Sequence, residues 1–349
     1  MAKSNPFKSF ITYGIGVGLY AKLLNREDAN EKIERRATED PTGATWGTMG
    51  FVSPDGSGDF AIEMAGSGAV MLAVQINERI LPGKVRDEHL KERLKAVREM
   101  EGRDPGKKEY AQLRDEVEAE LLPKSHIRRT TVPVLVYEKR VVFFTSSAKR
   151  ASDLASLLWS LCNDFGFHPK MLPLATKDTA DAWLTSVAKS EDDSPLVPLD
   201  SAVIRAAFAE DKSVVRIKDK DIDDSDVQAL LADSDYRVTE LLVSVLEGAQ
   251  DGPQGVAGAS FTVTDKLIVK NLKFPDLAIR EAIGEAGAED DLGKAEFMGM
   301  GVLVALSVTA ILDVICVALG GEDRTVYDEG DDTPDLDAFA EADDEDDEL

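Results

Sequence analysis

The chain has 349 residues, 43% of them apolar, which is long enough for two or three cooperating subdomains with buried cores. Its 66 acidic residues outnumber 40 basic ones, for a formal net charge of −26, so any contact with nucleic acid has to be confined to one basic surface. The two cysteines, Cys162 and Cys316, lie inside apolar helical patterns. They read as reduced core thiols of a cytoplasmic protein, which argues against a disulfide framework or a cysteine metal site.

No basic stretch leads into an apolar run at the start, so Phe7–Tyr13 reads as a first strand and not as an export signal. A short charged helix near Arg26–Arg36 and a turn-rich stretch, Pro41–Val52, follow. Phe60–Met64 and Ala69–Ile76, joined by Ala65-Gly66-Ser67-Gly68, form a hairpin pattern. Over residues 87–120, Leu90, Leu94, Val97, Leu113, Val117 and Leu121 keep a helical period amid dense charge, interrupted at Gly102–Gly106. That apolar face is too narrow to lie flat on a core, so a projecting helical hairpin is expected. Thr131–Tyr137 and Val141–Thr145 make a second β-hairpin. Ser146-Ser147 then caps a helix whose Ala151, Leu154, Ala155, Leu158, Leu161 and Cys162 form one apolar stripe. A helix over Thr179–Val187 and a charged linker at 190–194 close this half.

In the second half the pattern predicts strands at Val214–Ile217, near Val238–Leu246 and over Phe261–Val269, with a capped helix at Asp223–Leu231. Phe297–Leu312 carries no charge, but its 16 residues fall short of the roughly 20 that a membrane span needs, and Asp313 follows. A buried strand, Glu296–Met300, leading into a core helix, Val302–Leu319, is the expectation, with no membrane partner. Residues 322–349 hold 15 acids and one base, Arg324, a composition that cannot bury enough surface to fold. The expected fold class is α+β: mixed, mainly antiparallel sheets with packed helices and the projecting hairpin. Its segments are a β-rich part (1–80), the hairpin (81–130), a hairpin with helices (131–190), an α+β part (191–321) and a disordered acidic tail (322–349).

Catalytic signatures are missing. Gly102 and Gly106-Lys107 lack phosphate-loop spacing, and Gly14-Ile15-Gly16-Val17-Gly18 matches a dinucleotide fingerprint only loosely. His89, His126 and His168 stand apart from metal-ligand partners, and no Gly-x-Ser-x-Gly occurs. Asp223-Asp224 and Asp290-Asp291 read as caps and loops before they read as a two-metal nuclease site. An enzyme, a cofactor and a metal are therefore not expected.

The basic residues are more informative. Between Leu121 and Arg150 seven Lys/Arg, among them Lys124, Arg128, Arg129, Lys149 and Arg150, stand against the single acid Glu138. Such a concentration asks for an anionic partner, nucleic acid first. Lys149 and Arg150 fall in the first turn of a helix, where the dipole disfavours cations by roughly a few tenths of a kcal/mol. A phosphate bound there would take backbone N–H groups and both side chains. Arg216, Lys218 and Lys220 alternate and would share a face if Val214–Lys220 is a regular strand. Lys266, Lys270 and Lys273 offer a third strip. Each strip alone suits a solvated face; three in so acidic a chain argue together for a polyanion. Aromatic content is 6%, and the basic runs carry no interleaved Phe or Tyr, so phosphate contact without base reading is expected.

Several ordered motifs resemble the RdgC family of recombination-associated proteins. They are Phe7-Lys8, Met49-Gly50-Phe51-Val52, Glu78-Arg79-Ile80-Leu81-Pro82, Leu113–Val117 running into Leu121-Leu122-Pro123-Lys124, Ser147–Ala151, Val214-Val215-Arg216, Leu272-Lys273-Phe274 and Leu319-Gly320-Gly321-Glu322. The resemblance implies a ring-shaped homodimer with a basic central hole. It implies binding of double- and single-stranded DNA without sequence preference, restraint of a RecA-type recombinase, and a nucleoid-associated place in the cytoplasm. Lys124, Arg128, Arg129, Lys149, Arg150, Arg216, Lys218, Lys270 and Lys273 are the candidate phosphate ligands. The family closes its ring through an aromatic residue after Leu-Leu-Pro, where this chain has His126, and through a Lys-Gln pair, where it has Asp219-Lys220. The alternative is an acidic, DNA-mimicking regulator that uses its tail to occupy a partner's DNA-binding surface.

Overall fold

Alternating apolar runs lay down two antiparallel sheets, which the computed structural model describes through residues 6–16, 18–191, 195–207, 213–246, 258–275 and 292–328. The first sheet contains β1 (Ile11–Ile15), β2 (Gly47–Val52), β3 (Ile62–Met64), β4 (Ala69–Ile80), β5 (His126–Tyr137), β6 (Arg140–Phe143) and β7 (Met171–Pro173). Their order is β2-β4-β5-β6-β1-β7, with β3 also on β4. Its spine is the β4–β5 ribbon, paired without a break from Ala69 opposite Tyr137 to Ile80 opposite His126. Ala69 to Val74 are all buried, so both faces of the ribbon are covered here and no polar alternation is needed. Helices α1 (Leu19–Leu24), α2 (Arg26–Glu34) and α5 (Ala148–Asp164) pack on one face. The long helix Leu292–Ala318 packs on the other.

The α5 stripe is buried as expected, and each of Leu154, Leu158 and Leu161 contributes about 1.5–3 kcal/mol of transfer free energy. Helices α3 (Gly83–Glu101) and α4 (Lys107–Leu121) continue outward from the ends of β4 and β5. Their only buried residues are Leu90 and Val117, and ion pairs such as Arg86–Glu118 and Arg93–Glu120 lace their surface, as a projecting hairpin requires.

The second sheet comprises β8 (Leu196–Ala206), β9 (Val214–Lys218), β10 (Tyr236–Val245), β11 (Ser260–Thr264) and β12 (Val269–Lys273), in the order β12-β11-β10-β8-β9. Its inner face (Ala202, Ile204, Val238, Leu241, Phe261, Val263) shares one core with α6 (Ala180–Ala188), α7 (Ser225–Ala232) and the long helix. The two sheets are stitched by Phe10, which exchanges both backbone hydrogen bonds with Val269, and by Lys8, whose carbonyl accepts from Leu272. The predicted strand Phe7–Tyr13 is therefore divided: its first half crosses to β12, and β1 begins at Ile11.

Other expectations need correcting. Glu296–Met300 is helical, within one helix from Leu292 to Ala318. Gly299 and Gly301 do not break it; a Cβ on Gly301 would lie 2.8 Å from Met64 Sδ, so this glycine serves close approach of helix and sheet. Phe297–Ala318 is long and apolar enough to cross a membrane, and 56% of its most apolar stretch is buried inside the protein. Half of the turn-rich stretch Pro41–Val52 is strand β2, where a Cβ on Gly50 would meet the Thr38 backbone at 2.6 Å. Phe261–Val269 is a hairpin turning at Leu267, whose φ is +55°, and not one strand. Strands β7 and β8 were not foreseen; in β8, Pro198 and bulges in the pairing with β10 hide the alternation.

The acidic tail also begins later than composition suggests. Glu322–Asp328 is folded against β1 and β7 and ends in the turn Thr325–Asp328. Arg140, 6% exposed, donates to Glu322 Oε2 at 2.9 Å, to Asp313 Oδ1 at 3.0 Å and to the Tyr137 hydroxyl. Burial works against this guanidinium's charge, yet Tyr137 and Glu322 hold its pKa above the ordinary arginine range. The Tyr327 hydroxyl donates to the other Glu322 oxygen, and the Tyr327 ring lies so close over Gly14 that a Cβ there would meet it at 2.3 Å. Cys162 and Cys316 are buried free thiols, pushed up by burial to about 12 and about 11, as inert core cysteines are.

Candidate nucleic-acid interface

Folding disperses the basic run 121–150. Lys124 lies 3.7 Å from Glu120 at the foot of α4, and Arg128 meets Glu78, its register partner across the β4–β5 ribbon. Arg129 grips both oxygens of Asp40 at 2.7 and 2.9 Å, and Arg140 is buried in the ionic cluster above. Arg150 approaches Glu78 at 3.8 Å, while its backbone N–H is capped by the Ser147 hydroxyl. Lys149, at the exposed start of α5, has no ion-pair partner among the described residues. Exposed pairs of this kind are worth only about 0–1 kcal/mol, so a phosphate can compete for Lys124, Arg128 and Arg129. They do not, however, form one patch.

The second sheet does form one. Alternation along each strand puts Val203 and Arg205 of β8, Val214, Arg216 and Lys218 of β9, Arg237 and Glu240 of β10, and Lys270 and Lys273 of β12 on its outer face. The registers carry this across the sheet: Val203 stands opposite Arg216, Ser201 opposite Lys218, Glu240 opposite Val203, and Thr262 opposite Lys270. Six cations thus share a face with Glu240, which pairs with Lys270 at 3.2 Å; Asp200 stands exposed beside Ser201. At about 4.8 Å per strand, β9 and β12 are roughly 19 Å apart, which exceeds the roughly 12 Å of a major groove, so the two edges can meet phosphates on either side of it.

Arg205 and Arg237 were not singled out from sequence. They stand directly opposite each other in the β8–β10 pairing. Like charges so placed repel, a cost that an anion seated between them would reverse. Arg237 is braced by the Ser234 and Tyr236 carbonyls, which fixes its fork in place. The available signal was Val203-Ile204-Arg205, whose alternation is legible only once β8 is recognised as a strand.

Lys220 does not join the strip. The strand ends at Lys218, Asp219 takes a left-handed φ of +54°, and Lys220 turns to Asp226 at 3.1 Å and Asp224 at 3.7 Å. Lys266 leaves it too and lines a cleft of about 850 Å³ between the two sheets, together with Arg205, Arg237, Asp178, Asp181 and Asp265. His126 sits exposed at an apolar groove of about 340 Å³ lined by Ile80, Leu81, Pro82, Val85 and Leu121, at the base of the helical hairpin. Asp224 starts α7, and Asp290-Asp291 lies outside the described residues. Among the described residues no group of three or more His, Cys, Asp or Glu side chains is arranged to hold a metal ion.

The geometry defines a class first: a two-sheet α+β protein that turns a cationic sheet face outward. The family model described as "Putative exonuclease, RdgC" matches residues 7–322. The chain is 29% identical over 322 residues to the "Recombination-associated protein RdgC" of Pseudomonas putida KT2440, covering 91% of this chain and 98% of that protein. It is 30% identical over 279 residues to the protein of the same name from Pseudomonas syringae pv. syringae B728a, covering 79% and 85%. The chain belongs to the RdgC family of recombination-associated proteins.

Proposed function

We propose that the protein binds DNA through its phosphates without reading sequence, encircles it as a homodimer, and so limits the access of a RecA-type recombinase. The observation that carries this reading is the outer face of the second sheet, where Arg205, Arg237, Arg216, Lys218, Lys270 and Lys273 gather in a chain of net charge −26. Chance exposure does not concentrate cations this way, and a duplex offers one negative charge per about 1.7 Å of axis. Serine, threonine and aliphatic residues fill the positions between the cations, so the face can hold phosphates while reading few base edges. The apolar groove at Ile80, Pro82 and Val85, with Ile80 41% exposed, supports the subunit contact for which the family resemblance uses an aromatic residue; here His126 occupies its mouth. The resemblance puts the second contact at Asp219-Lys220.

Encirclement has a topological test. A covalently closed circular duplex should retain the dimer through a salt challenge, and the same DNA cut once should release it. Equal release from both forms would rule out the ring. On this reading labelled DNA incubated with the protein and Mg²⁺ stays full length, and shortened products would contradict it.

The tail motivates the second reading, that of a regulator acting on a partner's DNA-binding surface. Residues 329–349 hold 12 acids and no base, and they follow directly on a segment anchored through Glu322 and Tyr327. Under the DNA-binding reading, removing 329–349 leaves DNA affinity unchanged or raises it, most at low salt where charges are least screened. A truncated protein that loses a protein partner while binding DNA as before would favour the second reading.

A further inference from the structure

The exposed face of α5 carries a built slot that the phosphate-binding surface does not use. Lys149, Ser152, Ser156 and Trp159 follow one another at helical spacing on that face, with Lys149 and Trp159 about 15 Å apart along the axis. Trp159 is 43% exposed, unlike the buried Trp183, and its ring leans on His168 with centroids 6.3 Å apart. His168 is fixed by a 2.6 Å hydrogen bond between its Nδ1 and the Asn163 side-chain oxygen. Beside the indole lies a pocket of about 320 Å³ lined by Tyr13, Ser152, Ala155, Ser156, Trp159, Pro169 and Met171. Tyr13 is 7% exposed. Asp153 turns instead to the neighbouring groove, with Arg150.

We propose that this slot receives an unpaired DNA base. The inference rests on the DNA-binding reading and adds a site to it. An exposed indole braced by a second ring is a stacking platform, and base–aromatic stacking tolerates every base because each has a π-face. Tyr13, Ser152 and Ser156 line the slot; the Ser156 hydroxyl donates to the Ser152 carbonyl and keeps its oxygen as an acceptor, while the other hydroxyls can donate or accept, so the base edge is met without selection. Lys149 then takes a phosphate of the same strand a few nucleotides away. No charged side chain lines the pocket, which suits a neutral base better than an acidic peptide. Paired bases cannot enter, so the site acts on single strands alone.

The experiment compares anisotropy titrations of the full-length protein with oligo(dT), a blunt two-stranded duplex and an abasic strand of equal length. Trp159→Ala should weaken oligo(dT) binding about five- to a hundredfold, the range expected for one lost stack. It should leave the duplex and the abasic strand unchanged, and Trp159→Phe should keep most of the oligo(dT) affinity. Wild-type affinity in Trp159→Ala, or an equal loss on all three DNAs, would overturn the slot. A wild-type protein that binds none of the three would overturn the DNA-binding reading itself.

Discussion

Charge reversal at Arg205 and Arg237 together weakens duplex binding by at least about a hundredfold at low salt, equally for every sequence. Each guanidinium–phosphate hydrogen bond is charge-assisted and worth roughly 1.5–3 kcal/mol, and the two forks stand directly opposite on β8 and β10. The salt dependence changes as well. Every phosphate contact contributes about −0.9 to the slope of log K against log salt, so two lost contacts flatten it by about 2. The two new carboxylates face each other beside Asp178, Asp181 and Asp265, a like-charge repulsion that costs the fold about 0.2–1 kcal/mol. An anisotropy titration at several salt concentrations, with a thermal melt as control, measures all three quantities. Arg128→Glu with Arg129→Glu has a smaller effect, because these arginines already answer Glu78 and Asp40. If that pair matters more than Arg205 and Arg237, the interface lies on the first sheet and not the second.

Glu322→Ala has the largest expected effect on stability. It leaves the Arg140 charge buried with only Asp313, itself largely exposed, as its remaining carboxylate. It also deprives the Tyr327 hydroxyl of its acceptor. Breaking a buried pair from one side costs about 3–5 kcal/mol, which lowers Tm by roughly 10 °C at about 2–4 °C per kcal/mol. The double change Arg140→Met with Glu322→Leu recovers much of the loss, because no charge is then left unpaired in the core. Gly14→Ala attacks the same clamp from the other side by driving a methyl group into the Tyr327 ring. Calorimetry on the three variants separates these outcomes; a Glu322→Ala protein that melts with the wild type would show that the C-terminal segment does not stabilise the first sheet. DNA affinity below the melting point should be unaffected, since the Glu322 side chain is covered and lies off the cationic face of the second sheet.

Much of this architecture is legible in the chain, for physical reasons that can be named. The α5 stripe, the α3–α4 hairpin and the β3–β4 and β5–β6 hairpins are legible because each buries a regular set of positions, Leu154, Leu158 and Leu161 for α5, Leu90 and Val117 for the helical hairpin, whereas the long-range β4–β5 pairing leaves no local pattern. Strand β8 escapes because Pro198, Asp200 and its bulges break the period of two that marks a half-buried strand. With β8 goes Arg205, and with Arg205 the outer face of the second sheet. The Leu121–Arg150 run misleads in the opposite direction. Proximity in sequence concentrates its cations, but the ribbon register delivers Arg128 to Glu78 and Arg140 to the core, positions no local pattern announces. Glu322 and Tyr327 likewise sit in a segment whose composition says tail, because tertiary docking against Arg140 and Gly14 outweighs local propensity. Trp159 was not singled out from sequence, because its exposure is decided by where the first sheet lies.

On the proposed reading this acidic protein holds DNA by its phosphates and reads no sequence. Binding of the full-length protein to two duplexes of equal length and unrelated sequence, titrated from low to physiological salt, tests it most directly. The prediction is a single affinity for both duplexes, falling linearly in a log–log plot with a slope of at least about −4, as several phosphate contacts require. A flat salt response, a strong preference for one duplex, or no binding at low salt would contradict it.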